Sequence, residues 1–343
     1  MTPQTPIRAR MLRDIVSAER LVPEWDELWQ RCPDATTFQR PEWVFSWMQI
    51  FQPSTPLLIE FRHNNVLVGV APLLIYQRGS ERVLALMGGG ISDYLDVLFE
   101  PAYAEEAVEW FWDMLPTISG WDTLELTDLP PTSCLLLKNP LKWEYARTLH
   151  DVCPVLTLPS KPEKLNSVLS HRQRKNLRNA RNRLRSLGVA RIEIAAENNL
   201  HEILSSMFRL HTNRWVKAGE PGVLADQPVQ DFHRHVSPKL LRKGVLRLYT
   251  LRLNGRAIAV LHAFFERQVA YYYLQGFDLE FAWFSPGTQI LGAVAEDAVR
   301  HGMRAVNFLR GRERYKYIWG TQDSPTYRIQ GPNPLMPSRQ PAA

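Results

Sequence analysis

The sequence predicts an α/β protein of two tandem units, each a mostly antiparallel mixed sheet flanked by helices. Three observations carry this. Apolar runs of strand length occur in two groups of three, separated by turn tripeptides. Each group is followed by a loop, an amphipathic helical pattern and one more apolar run. The 343 residues exceed what one small core usually supports, and 45 % hydrophobic with 22 % charged residues is a globular composition.

The first group, "PLLIEFRHNNVLVGVAPLLIYQRGSERVLALMG" from Pro56, turns at His63-Asn64-Asn65 and at Arg78-Gly79-Ser80. The second, "VLRLYTLRLNGRAIAVLHAFFERQVAYYYLQG" from Val245, turns at Asn254-Gly255-Arg256 and at Glu266-Arg267-Gln268. Asn-Gly between apolar runs is a strong hairpin signal. "GGGISDYLDVLFEPAYAEEAVEWFWDML" with "WDTLELTDL" continues the first group, and "GFDLEFAWFSPGTQILGAVAEDAVRHGMRAVNFL" continues the second. The shared order, lengths and turns point to a duplicated unit. The expected bounds are 10–155 and 156–330, with a flexible tail over 331–343.

Composition also excludes. The longest nearly apolar run, Val66 to Tyr76, contains Gly69 and Pro72 and is shorter than the ~20 residues a membrane helix needs. "MTPQTPIRARMLRDI" lacks the apolar core of a signal peptide, so the expected location is cytoplasmic. Cys32, Cys134 and Cys153 are far apart and share no ligand spacing with histidines, and His233 with His235 is expected on a solvated surface, so no metal is expected.

The net charge of +6 is local. Nine lysines and arginines lie between Glu163 and Glu193 with no acid among them, and without them the balance turns negative. Within that segment, Leu177, Ala180, Leu184 and Leu187 have the spacing of one helical stripe over 170–187, with Ser170 to cap its start and Gly188 its end. Arg174, Arg178, Arg181 and Arg185 form a second stripe. Like charges at this spacing repel by a few tenths of a kcal/mol per pair, which an anion would relieve. Guanidinium groups fork onto phosphates or carboxylates, so tRNA, nucleotide-linked lipids, coenzyme A and acidic polysaccharides all remain open. The helix has no interleaved aromatics of a single-strand nucleic-acid platform, and nothing points to DNA.

Helix start and stop signals frame a candidate site. Ser285 stands at an N-cap position, Pro286 at the first helical position, and Gly302 supplies the stop. Ser285, Gly287 and Thr288 leave little bulk over the first amides, which with the helix dipole favour an anion. On the preceding strand, alternation puts Tyr271, Tyr273 and Gln275 on one face and Tyr272, Leu274 and Gly276 on the other. Asp278 is the candidate base or amine anchor, or else a turn aspartate.

"SDYLDVLF", "LSHRQRKNLRNARNRL", "LHTNRWVKAGEPG", "RLYTLRLNGRAIAV", "YYYLQGFD", "SPGTQIL" and "NFLRGRERYKYIWG", in that order, resemble the GNAT superfamily. Within it they are similar to the FemAB-like tandem branch, and most to the BioF2-like or CelD/BcsL acetyltransferase family linked to polysaccharide biosynthesis. The resemblance implies two GNAT-like units and an acyltransferase. It implies acyl-CoA, with acetyl-CoA first, as donor, and an amine or hydroxyl on a saccharide or lipid-linked cell-envelope precursor as acceptor, with peripheral membrane contact allowed.

It further implies donor phosphates at Ser285, Gly287 and Thr288, with Gln275 and Gly276 at the strand end that meets the thioester. The usual Arg/Gln-x-x-Gly-x-Gly/Ala signature is absent, which leaves the donor open. In the first half Glu100, Glu105 and Glu106 stand at the matching helix start and would repel phosphates.

Lys316 resembles the Phe-Lys element that holds a phosphate, with Tyr315 or Tyr317 as proton donor; alternatively the aromatics pack and Lys316 reaches water. Arg174, Arg178, Trp215, Tyr273, Arg310 and Lys316 complete the expected substrate-binding set, and Asp278 with Tyr315 the catalytic set. Aminoacyl-tRNA as donor, or a non-catalytic module for anionic polymers, are the alternatives.

Overall fold

The computed structural model describes residues 6–137, 145–161, 164–165, 169–217 and 219–335. Contacts divide the chain into one unit of residues 1–151 with 325–343 and a second of 152–324.

In the first unit β1 (Arg8–Leu12), β2 (Pro56–His63), β3 (Val66–Arg78) and β4 (Glu81–Leu86) pair antiparallel in sequence order. The short β5 (Leu98–Phe99) adds to β3, and β6 (Thr123–Leu129) pairs parallel to β4 after the helix Ala104–Met114. The helices Val22–Arg31 and Pro41–Phe51 each begin with a proline in the first turn, where its missing N–H costs nothing. Trp121, Phe111, Phe61 and Leu57 are the fully buried centre of this unit's core.

The second unit repeats the plan. After β7 (Ala146–Thr157), which belongs to this unit from Val152 on, the strands β8 (Ala190–Ile194), β9 (Leu246–Leu253), β10 (Arg256–Glu266) and β11 (Val269–Phe277) pair antiparallel in order. The helix Pro286–Arg300 then leads to β12 (Ala305–Asn307), parallel to β11 and antiparallel to β7. The helices His171–Arg185, Leu200–Lys217 and Gln227–Arg242 precede the meander or interrupt its approach.

The duplicated meanders are therefore present, down to their turns. Asn64 and Asn65 have φ 48° and 68°, and Asn254 and Gly255 have φ 48° and 85°, the left-handed pairs that match strand twist in a two-residue hairpin. Arg267 and Gln268 take the same geometry at φ 48° and 64° without a glycine.

The last strand, β13 (Gln322–Pro332), pairs with β6 through Tyr327↔Leu129 to Pro332↔Thr123. Residues 325–332 thus belong with the first unit, whereas their position in the sequence suggested the second unit and its tail. Residues 336–343 of the expected tail lie outside the described residues. No described helix is long and apolar enough to cross a membrane. His233, expected at the surface, is fully buried, because the inward stripe of Gln227–Arg242 runs through Val229, Phe232, His233 and Val236.

Candidate functional site

Strand β11 is paired with β12 only from Val269 to Tyr271, although it continues to Phe277. Beyond Tyr271 its free edge opens a cleft of about 910 Å³. Gln275 and Phe277 line one wall, and Ser285, Pro286, Gly287 and Thr288 at the start of the helix Pro286–Arg300 line another. The basic helix supplies Arg172, Asn176, Asn179 and Arg183, while Arg214, Arg314, Tyr315 and Trp319 close the remaining side. Among the described lining residues there are four arginines and no carboxylate.

Local chemistry fixes these walls. The Gln275 amide donates to the Gly287 carbonyl at 2.8 Å, tying the strand end to the first helical turn. A Cβ at Gly287 would lie 3.0 Å from Gln275 Nε2 and 3.4 Å from Phe277, so the glycine keeps this junction closed and its own amide uncovered. Pro286 has no N–H, and among the described bonds the Gly287 amide has no acceptor at this helix start. Ser285 occupies the N-cap position, but in a left-handed conformation (φ 50°, ψ 51°), and its side chain makes no capping bond. Its carbonyl instead accepts the Thr288 and Gln289 amides.

The basic helix is held by Ser170, whose hydroxyl accepts the Gln173 amide, and by Gln289, whose amide donates to the Ala180 carbonyl at 3.1 Å. Leu177 packs where a Cβ on Gly292 would come within 3.1 Å, so Gly292 lets the two helices approach closely. The Arg214 guanidinium lies 5.0 Å above the Phe277 ring, which positions a cation at the strand end.

Of the residues expected from sequence, Gln275, Ser285, Gly287, Thr288 and Tyr315 meet in this cleft. Gly276 does not line it. A Cβ there would strike the backbone of the helix Leu200–Lys217 at His211 N, 2.5 Å away, so its smallness serves close packing. Tyr273 does not share the face of Gln275. A bulge between His262 and Ala263 makes Tyr273 an extra residue in β11, and its ring packs on His233, His262 and Phe264.

Asp278 caps the turn that follows β11, accepting the Glu280 amide at 3.1 Å, and pairs with Arg256 at 2.6 Å. It is not among the residues lining the cleft. Lys316 is 2 % exposed, and its ammonium donates to the carbonyls of Leu309, Arg310 and Gly311 at 3.1, 2.6 and 3.2 Å and pairs with Glu313. It is neither at the water nor at the cleft. Arg310 contributes to that knot through its carbonyl. Trp215 packs against Gly222, where a Cβ would lie 2.7 Å from the indole.

Arg174 and Arg178 line a separate depression on the other flank of the basic helix. The sequence holds two stripes of equal spacing, and the one facing the cleft is Arg172, Asn176, Asn179 and Arg183. That polar stripe was visible as i, i+4, i+7, i+11, but only packing selects between it and the all-arginine stripe.

Burial, reinforced by Glu313 and opposed by Arg214, raises the Tyr315 phenol above the usual tyrosine range, so it stays protonated and suits proton donation. His211 and His262 are driven the other way by burial, to about 4 and about 3, with Arg214 adding to the effect on His211.

Residues 171–317 match the model of the acetyltransferase (GNAT) domain family. No curated protein matches the sequence. Among solved structures the chain is similar to FemX, at 13 % identity and TM-score 0.67, covering 93 % of this chain and 96 % of that one. It is also similar to a conserved protein of unknown function from Bacteroides thetaiotaomicron, at 9 % identity and TM-score 0.57, covering 94 % and 99 %. Likeness at such identities is likeness of fold.

Proposed function

We propose that this chain, a FemAB-like tandem of GNAT units whose second unit carries the acetyltransferase domain, transfers an acyl group from acyl-CoA, acetyl-CoA first, to an amine of a saccharide or lipid-linked cell-envelope precursor. The observation that carries the reading is the helix start with its open Gly287 amide, latched to the free edge of β11 by Gln275 and ringed by four arginines. Such a start suits a phosphate.

The fit is favourable: an uncovered Gly287 amide, Arg172 and Arg183 on the facing helix, and no described carboxylate in the lining. Gly287 and Thr288 with these arginines would hold the donor's phosphates. When bound, the thioester supplies an activated carbonyl. The acceptor nitrogen forms the new bond to the carbonyl carbon, the carbon–sulfur bond breaks, and Tyr315 gives its proton to the departing sulfur. The surplus proton of the amine leaves to water, and water returns a proton to the Tyr315 phenolate.

Neighbouring guanidinium groups lower the pKa of an entering ammonium, so the acceptor arrives more readily as free base. The described lining holds no imidazole or carboxylate to activate a hydroxyl, which favours an amine. Asp278, bound to Arg256 and the following turn, acts in this reading as the anchor of the loop that carries the helix start. The first unit lacks donor binding: its helix start carries Glu105 and Glu106, and Glu100 pairs with Arg31.

Thermal shift with acetyl-CoA, longer acyl-CoAs and an aminoacyl-tRNA separates the donors, since only a ligand of the folded state raises the melting temperature. Stabilisation by acetyl-CoA that disappears in Gly287→Trp is expected. Stabilisation by aminoacyl-tRNA alone would replace the donor, and undiminished acetyl-CoA binding in Gly287→Trp would remove it from this cleft.

A further inference from the structure

We propose that the outward flank of the basic helix is a docking surface for an anionic lipid bilayer. Arg174, Lys175, Arg178, Arg181 and Arg185 are all exposed and border a shallow depression of about 570 Å³ with Leu165, Leu169 and Leu177 at its floor. The one carboxylate described there is Glu296, 3.5 Å from Arg181 and shared with Arg300. Among the described residues Arg174, Lys175, Arg178 and Arg185 have no carboxylate partner. The fold therefore spends repulsion on this flank without compensating it internally, although the same helix needs only its cleft-facing stripe for the donor site.

The chemistry of the partner follows from charge and apolarity together. Four to eight cations on one amphipathic helix match a bilayer of acidic headgroups, each worth about 1 kcal/mol near the surface. Directly after the helix come Leu187, 42 % exposed, and Val189, 73 % exposed, apolar side chains of the kind that enter the headgroup boundary. Among the described lining residues there is no Phe, Tyr or Trp, and the single imidazole of His171 is no platform for successive bases, which sets RNA behind lipid.

The consequence rests on the acyltransferase reading. The two flanks of one helix are separated by no more than its ~10–12 Å diameter. A bilayer held on the outer flank would bring the amine of a lipid-linked acceptor to the mouth of the donor cleft on the inner one.

The test is co-sedimentation of the full chain with vesicles of phosphatidylcholine alone and with one-third phosphatidylglycerol, at low and high salt. Binding only to the anionic vesicles, lost at high salt, is expected, and the double variant Arg174→Gln/Arg178→Gln should partition roughly 30-fold more weakly. Arg174→Lys/Arg178→Lys should bind like the parent, because a bilayer reads charge rather than fork geometry. The acetyl-CoA thermal shift, preserved in the Gln variant, shows that it is folded with an intact cleft.

No sedimentation of the parent with anionic vesicles overturns the proposal, as does full binding by the Gln variant. Capture of a tRNA-length RNA in place of vesicles, sensitive to the same variant, would assign the flank to RNA instead. A parent that binds anionic vesicles but gives no acetyl-CoA shift would leave the docking surface standing while the donor reading falls.

Discussion

Gly276 is the sharpest test of how the cleft is built. It is buried in β11 between Gln275, which holds Gly287, and Phe277, which lines the cleft. A methyl group there would sit 2.5 Å from His211 N, 2.9 Å from Leu210 C and 3.0 Å from His211 Cα. Ordinary contact begins at 3.4 Å, so roughly 0.9 Å of relief is needed, and every obstructing atom is backbone of the helix Leu200–Lys217. No rotamer change can supply it.

Overpacking of this kind costs about 1–3 kcal/mol. At ~2–4 °C per kcal/mol for a unit of this size, the melting temperature of Gly276→Ala should fall by roughly 2–12 °C. The strand end must also move, so acetyl-CoA affinity should weaken with it. Gly89→Ala is the control, since a Cβ there meets nothing within 4 Å and its φ is not left-handed. Circular-dichroism melting of both variants decides the matter. If Gly276→Ala melts with Gly89→Ala, the close approach of helix and strand is not what the glycine serves.

Other expectations follow from the same geometry. Lys316→Met leaves the carbonyls of Leu309, Arg310 and Gly311 without this donor and should cost on the order of 3 kcal/mol in urea denaturation, while donor affinity changes little; the opposite split would return Lys316 to a phosphate-binding role. Tyr315→Phe should lower kcat by about 10²-fold or more at unchanged donor affinity, in the range of a lost general acid. Because its phenol is raised, the parent should keep this step through the alkaline range and lose it only above the usual tyrosine pKa of about 10.

Stability should also fall in acid. His211, His233 and His262 are held neutral by burial, below the ordinary value of 6.5, so the unfolded chain binds protons first. Their contribution is complete above pH ~6.5 and is lost as the pH falls, through about 4 for His211 and about 3 for His262, at roughly 2 kcal/mol for each of these two by pH ~5. Melting curves across that window should show the loss, and His262→Phe should blunt it.

Much of this protein was legible as sequence because its signals are local. Strand alternation, the paired Asn turns at 64–65 and 254–255, and the Pro286 to Gly302 helix frame each depend on a few neighbouring residues. Local rules therefore placed both meanders, both following helices and the junction at Ser285, Gly287 and Thr288 that lines the cleft. They also singled out Tyr315, which lines the same cleft.

Tertiary structure decided the rest, and each case has a non-local cause. One extra residue in β11 turned Tyr273 away from Gln275, because a bulge is set by the partner strand rather than by alternation. Two stripes on the basic helix share one spacing, and only the fit of Leu177 against Gly292 fixes which of them meets the cleft. Left-handed Leu309 and Gly311, at φ 57° and 109°, curl three carbonyls onto Lys316. The strand 322–332 found β6 nearly 200 residues earlier in the chain. Periodicity states the angle at which a side chain leaves its element; what waits at that angle is settled only when distant segments pack.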